Sequence, residues 1–296
     1  MLPSLRMIVL VIWCGLPVAA MAHAPPDDAS ATAETFLQVG LGVAAVLYAI
    51  GALRLSHRGR DTSILLRSLA FVGGWVSLRL ALLSPLDEWS ATSFAAHMVQ
   101  HEALMLVAAP LLVLSRPLPV FLWALPSSMR RAVSAGARSA GIATAWRWLN
   151  LGAVGWLLHA SALWIWHAPP LFRAALRDPA LHELQHATFL ATALLFWSAL
   201  MTARGAGRKG AAALYLFTTT IHTGALGALI TFATAPWYTP PLRSGEALAP
   251  LADQQLGGLI MWVPGSIVYV VIGLLLLLRW VRDSDPTPTR VRSHHA

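Results

Sequence analysis

Apolar residues fall into long blocks separated by short polar segments, and the blocks have the length of membrane crossings. A helix needs about 20 consecutive apolar residues to cross the hydrocarbon core. After an N-terminal block, seven stretches approach that length: 34–53, 64–83, 94–115, 147–166, 182–202, 210–232 and 256–279. They predict an all-α, polytopic transmembrane helical bundle with no soluble domain and no internal repeat. Pro110 and Pro264-Gly265 fall inside the third and seventh stretches. Both are tolerable kinks, because neighbouring helices re-satisfy the freed backbone groups. Gly224, Ala225, Gly227 and Ala228 make the sixth stretch a surface for close approach. The segment PLPVFLWALP, 117–126, is too short to cross and too apolar for a plain loop. It is placed in the membrane interface, followed by a short basic helix near 127–140.

The first block is of another kind. Arg6 precedes an apolar core from Met7 to Leu16, and Ala20-Met21-Ala22 has the small-x-small form of a cleavage site. Residues 1–22 are therefore expected to be a signal peptide, 23–282 the seven-span domain and 283–296 a tail. Cleavage would remove Cys14, the only cysteine, and with it any thiol chemistry. It would also leave His23 first, where its α-amine and ring nitrogen could chelate Cu(II).

Charge then orients the blocks. Of the 21 Lys and Arg, sixteen lie in alternate connections and the tail, among them Arg54, Arg58, Arg116, Arg130, Arg131 and Lys209. The intervening loops hold only Arg173, Arg177 and Arg243. The positive-inside rule makes the tail cytoplasmic and the mature N-terminus external. Charged residues are 11% of the chain, against about 25% in soluble domains. The net charge of +8 is this membrane asymmetry and not a nucleic-acid surface.

Histidine carries the chemistry. His97 and His101 open the third stretch one helical turn apart, on one face. His182 and His186 repeat that spacing at the start of the fifth, and His167 closes the fourth. All five fall at outer ends. His159 lies one to two turns deeper, His222 near mid-membrane, and Asp253 opens the seventh stretch. Ionisable groups inside a bilayer are costly and mark function. Imidazole together with a nearby thioether such as Met98 or Met105 suits copper better than magnesium or calcium; both methionines also suit plain core packing. The candidate metal set is His97, His101, His182, His186, His167, His159, His222 and Asp253. Carboxylates such as Asp87 and Glu102 are available to orient the rings, and Arg79 is expected to pair with one of these two. Three functions stay open on the residues: copper handling at the outer face, haem ligation with transmembrane electron transfer, or a scaffold whose histidines hold helices together. Pairs at a single depth favour copper over a haem chain. No nucleophile or acid–base set indicates an enzyme.

Four blocks carry a resemblance: SPLD at 84–87, FAAHMVQHEALMLVAAPLLVLSRPL at 94–118, WIWHAPPLFRAALRDPALHELQHATFLATALLFW at 164–197 and DQQLGGLIMWVPG at 253–265. With them the chain resembles the CtaG-type (caa3-type) cytochrome c oxidase assembly factors, a multispan membrane family. The resemblance covers nearly all of the chain after residue 22. It implies a bacterial plasma-membrane protein that assists haem–copper oxidase assembly. Copper would be its cargo, and oxidase subunits or copper donor proteins its partners. The matching motif positions are His97, His101, His167, His182, His186 and Asp253; His159 and His222 are added from placement alone.

Overall fold

A computed structural model describes residues 29–59, 63–137, 140–149, 151–202, 206–238 and 249–284. The expected signal peptide, His23 and the tail beyond 284 lie outside the described residues. Those described are helical throughout, without strands. In order they form α1 (Ala29–Ser56), α2 (Ile64–Leu82), α3 (Pro85–Ser90) and α4 (Phe94–Glu102), which runs through a π turn (Ala103–Ala108) into α5 (Ala109–Ser115). Then come α6 (Pro117–Ala124), α7 (Ser127–Gly136), α8 (Ala140–Leu149), α9 (Gly152–Trp166), α10 (Pro169–Ala175), α11 (Pro179–Met201), α12 (Ala206–Thr231) and α13 (Pro250–Ser284).

Among the described residues six stretches are long and apolar enough to cross a membrane: Glu34–Ser56, Ile64–Leu82, Phe94–Ser115, Pro179–Met201, Gly207–Thr231 and Pro250–Arg282. The fourth expected crossing differs. Its helix, α9, has 15 residues, about 22 Å of rise against a hydrocarbon core of about 30 Å. Leu151 is extended at φ −67°, ψ 131° and starts α9 afresh. At the other end Ala168, before Pro169-Pro170, is also extended, as the proline ring demands of its predecessor.

The Phe94–Ser115 segment lies at the centre, with α2, α11 and α13 packed around it. The stretch bearing His97 and His101 is thus the one the bundle encloses. On one flank α12 and α13 meet backbone to backbone. A Cβ on Gly258 would fall 2.9 Å from the Gly227 carbonyl and 2.7 Å from the Thr231 nitrogen, so small residues set this crossing.

The segment expected at the membrane interface is helix α6, packed on α1 where Gly51 meets the Val120 carbonyl. Arg116, at φ 48°, ψ 58°, makes the turn from α5 into α6, and Pro117 supplies the first helical φ. Arg54 donates to the Trp123 and Ala124 carbonyls at 3.0 and 2.7 Å, capping the end of α6. The basic helix expected after it is α7, whose Arg130 lies over the Trp123 ring at 4.4 Å. Arg79 pairs with neither expected carboxylate. Its guanidinium lies over Trp75 at 5.3 Å, while Gln100 donates to Asp87 and Glu102 faces Gly265 of α13.

Pro110 produces a π turn instead of a simple kink. In that turn Ala109 N–H bonds the Leu104 carbonyl, five residues back. The next donor in the series would be the nitrogen of Pro110, which has no hydrogen, so the Met105 carbonyl is left over. The buried Trp197 indole N–H takes that carbonyl at 2.8 Å. Trp197→Phe keeps the aromatic bulk and strips the donor. It is expected to cost about 1–3 kcal/mol, as a buried carbonyl left bare does, read as a lowered unfolding midpoint in detergent. An unchanged midpoint would refute this account of the π turn.

Candidate metal centre

Both histidine pairs sit in the first two turns of capped helices. In α4 the rings are the fourth and eighth residues, and in α11 they are again the fourth and eighth. Ser93 caps α4, accepting from Ala96 N–H at 3.2 Å. Asp253 of α13 reinforces that end: Oδ2 accepts from Phe94 N–H at 2.6 Å, and Oδ1 from Ala95 N–H at 3.2 Å and the Ser93 hydroxyl at 2.8 Å. A carboxylate on the first N–H groups of a helix also meets the positive end of its dipole. In α11 Asp178 accepts from Ala180 and Leu181 N–H, and Pro179 follows at the first position. The equal register puts the two pairs at equal distance from their helix starts, and packing turns them toward each other.

Ring centroids lie 4.3 Å apart for His97–His101 and 4.2 Å for His182–His186. Across the helices the separations are 5.2 Å for His97–His182, 5.9 Å for His97–His186 and 5.3 Å for His101–His186. His167, just past α9, joins at 6.1 Å from His101. One ligand atom from each of His97, His182 and His186 lies within 4.8 Å of the others. Two imidazole nitrogens bound at about 2 Å to one ion are no more than ~4 Å apart. A shared ion therefore asks for movements below about 1 Å.

The protonation pattern suits ligation. His97 Nδ1 lies 3.3 Å from the Ser90 carbonyl, and His167 Nδ1 lies 2.7 Å from the Leu163 carbonyl. A carbonyl only accepts, so His167 carries its hydrogen on Nδ1 and presents a lone pair at Nε2. His97 faces a second acceptor at Nε2, Gln185 Oε1 at 3.3 Å, so which of its nitrogens holds the hydrogen depends on the tautomer. Both nitrogens of His101 and of His186, and Nε2 of His167 and His182, are buried without a hydrogen-bond partner among the described residues. Bare buried polar atoms are costly, and here several converge with nitrogens free to take a ligand. Burial holds His167 neutral, its pKa lowered to about 4, and the bond to Leu163 opposes this only in part. Burial likewise raises the pKa of the Asp87 carboxyl, against the bond that Gln100 donates.

Aromatic rings wall the cluster. Phe172 lies 5.0 Å from His97 and Phe189 4.6 Å from His101. Tyr238 stacks on Phe94 at 4.6 Å and donates its hydroxyl to the His167 carbonyl at 2.6 Å. Of the residues singled out from sequence, His97, His101, His167, His182 and His186 come together. Asp253 does not join them, because both of its oxygens are spent on the start of α4. His159 and His222 lie deeper: His159 stacks on Phe196 at 5.3 Å, and His222 stands edge-on to Trp156 at 5.9 Å. Met98 and Met105 are core residues. Sequence reasoning missed Gln185 and Tyr238. Gln185 had a usable signal, since it follows His182 by three residues and so shares its face; Tyr238 had none.

The cytochrome c oxidase caa3 assembly factor family matches residues 46–283. An uncharacterized protein of Mycobacterium bovis and another of Mycobacterium tuberculosis are each 24% identical over 276 residues. Each match takes in 85% of this chain but 39% of the relative, so the chain spans about two fifths of the length of these curated relatives. No solved structure matches.

Proposed function

The chain belongs to the cytochrome c oxidase caa3 assembly factor family, and from that premise we propose that it binds copper at the histidine cluster and delivers it for oxidase assembly. The cluster then lies at the outer face of the bacterial plasma membrane, and the recipient is an oxidase subunit or a copper donor protein. The observation that carries the reading is the convergence of five imidazoles, four of them buried, with ligand atoms of three within 4.8 Å. Neutral nitrogen donors without a carboxylate suit copper and exclude magnesium or calcium, which require oxygen ligands.

A scaffold role for the rings fits less well. Helix α4 is already tied to α13 through Asp253, and Gln100 Nε2 ties α4 to the Ala81 carbonyl and Asp87, whereas of the five rings only His97 reaches other helices, at Ser90 and Gln185. Haem fits less well again. The rings meet edge-on or tilted at 4.2–6.1 Å, with Phe172 and Phe189 against them, which leaves no slot for a macrocycle.

A deletion strain grown at limiting copper tests the proposal. Oxidase subunits are expected to be made while oxidase activity and its copper content fall, and added copper is expected to restore both. Normal copper content in the deletion strain's oxidase would refute delivery. A visible haem band in the purified protein would refute copper as its cargo.

A further inference from the structure

At the end of the bundle away from the outer histidines, two arginines line one cavity. Its volume is about 360 Å³, within the roughly 300–1,000 Å³ of small-molecule sites. Three segments form it: the start of α2 with Ser63, Leu66 and Arg67, the end of α5 with Leu114 and Arg116, and the end of α11 with Met201. Arg116 follows the last residue of the segment that begins with α4 and carries His97. At 1.5 Å per residue the two lie about 28 Å apart along it, close to the hydrocarbon thickness of about 30 Å. The cavity is therefore at the opposite interface from the cluster, on the side that the arginine-rich connections are expected to make cytoplasmic.

The arginines of this end are not alike. Arg54 is spent on the carbonyls that end α6, and Arg58 and Arg130 lie over the Trp123 ring at 5.1 and 4.4 Å. No hydrogen bond, ion pair or ring contact holds the exposed Arg116 side chain among the described residues. At φ 48°, ψ 58° it takes the left-handed position after a helix, which suits glycine and strains an L side chain. The turn alone would be better served by glycine; what arginine adds is a cation at the cavity. Arg67 brings a second, and among the described residues no carboxylate lines the space. Ser63 gives α2 no side-chain cap, so the positive end of that helix dipole is left to the same cavity.

The rest of the wall is apolar and open to the bilayer. Leu66 is 71% and Leu114 51% exposed, and the exposed Leu69, Val72 and Val76 continue from Leu66 along α2 at one-turn spacing. A cationic pocket that runs into a lipid-facing apolar track fits a molecule with a phosphate at one end and a hydrocarbon chain at the other.

We propose that this cavity binds an anionic phospholipid, its phosphate between Arg67 and Arg116 and an acyl chain along α2. Guanidinium groups meet phosphate oxygens in paired, charge-assisted hydrogen bonds, and basic pockets between membrane helices suit anionic head groups. A soluble phosphate would use the arginines without the track. A zwitterionic lipid would use the track but bring its own cation to the arginines. The site joins the far ends of the two segments that carry the histidine pairs, Phe94–Ser115 and Pro179–Met201, so bound lipid braces them against each other. It rests on no metal at the cluster.

Native mass spectrometry of the full-length protein, released from micelles containing phosphatidylglycerol or phosphatidylcholine, tests the proposal. One phosphatidylglycerol is expected to be retained roughly fivefold or more over phosphatidylcholine, and Arg67→Gln or Arg116→Gly to lower that retention by a similar factor. Without lipid, the unfolding midpoint of Arg116→Gly is expected to hold or rise, because glycine suits that backbone. Arg130→Gln removes a charge from the same end outside the cavity and is expected to keep the lipid. Phosphatidylglycerol is expected to raise the unfolding midpoint of the unmodified protein, and glycerol phosphate to leave it unchanged. The proposal is overturned if the two lipids are retained alike, or if Arg116→Gly keeps phosphatidylglycerol. It is overturned too if Arg130→Gln loses as much lipid as the cavity variants, which is general surface attraction. An equal rise with glycerol phosphate overturns it in favour of a soluble anion. Should Arg67→Gln misfold, Arg116→Gly decides alone.

Discussion

Replacing His97 and His186 together by alanine is expected to lower copper affinity at the outer cluster by on the order of 100-fold or more. The two rings belong to different helices, and they supply two of the three ligand atoms that lie within 4.8 Å. Orienting residues alone carry about 10–100-fold of metal affinity, so loss of two direct ligands exceeds that range. Either single substitution is expected to cost less, because His101 and His167 stand close enough to substitute. The fold is expected to survive the double change. The His186 ring leaves both buried nitrogens without a hydrogen-bond partner among the described residues, so its removal relieves a desolvation cost while it opens a cavity. Chelator competition measures affinity and thermal unfolding in detergent measures stability. Unchanged affinity in a folded double variant would eliminate the cluster as the outer copper site.

Asp253→Ala is expected to destabilise the bundle by about 3 kcal/mol or more. One carboxylate accepts from two backbone N–H groups and a hydroxyl at the buried start of α4. A hydrogen bond to a charged group contributes roughly 1.5–3 kcal/mol, and a helix cap about 1. Copper affinity should fall as well, because His97 and His101 ride on the first two turns that Asp253 secures. Asp253→Asn keeps one carbonyl oxygen and should lie between. The outcome separates two roles. A positioning residue lowers the unfolding midpoint and the affinity together, whereas a metal ligand would lower the affinity with the midpoint unchanged. The second pattern would return Asp253 to the metal set.

The same residue shows where sequence reading stops. Its block, at the start of an apolar run and in line with two histidine pairs, suggested a ligand. The partner it holds is about 160 positions away in the chain, and nothing in local spacing distinguishes a carboxylate facing a helix end from one facing a metal. Gln185 was accessible by contrast, because its relation to His182 is one helical turn.

What the sequence determined by itself is what a helix determines locally. Apolar runs defined six helices long and apolar enough to cross a membrane, with ends no more than six residues from those expected, and the short apolar helix α6 with its basic successor. The spacing of four put each histidine pair on one face, because 3.6 residues per turn is a property of the backbone and not of its neighbours. Tertiary structure decided the rest. The fourth crossing became a 15-residue helix, since extended backbone at Leu151 and Ala168 bounds it. Pro110 led to a π turn because Trp197, far along the chain, could satisfy the displaced carbonyl. The histidines divided in two, four at the starts of α4 and α11 meeting His167 at the end of α9, and His159 and His222 apart from them. Which faces meet depends on how ridges and small residues of separate helices pack, a non-local choice that no single helix encodes.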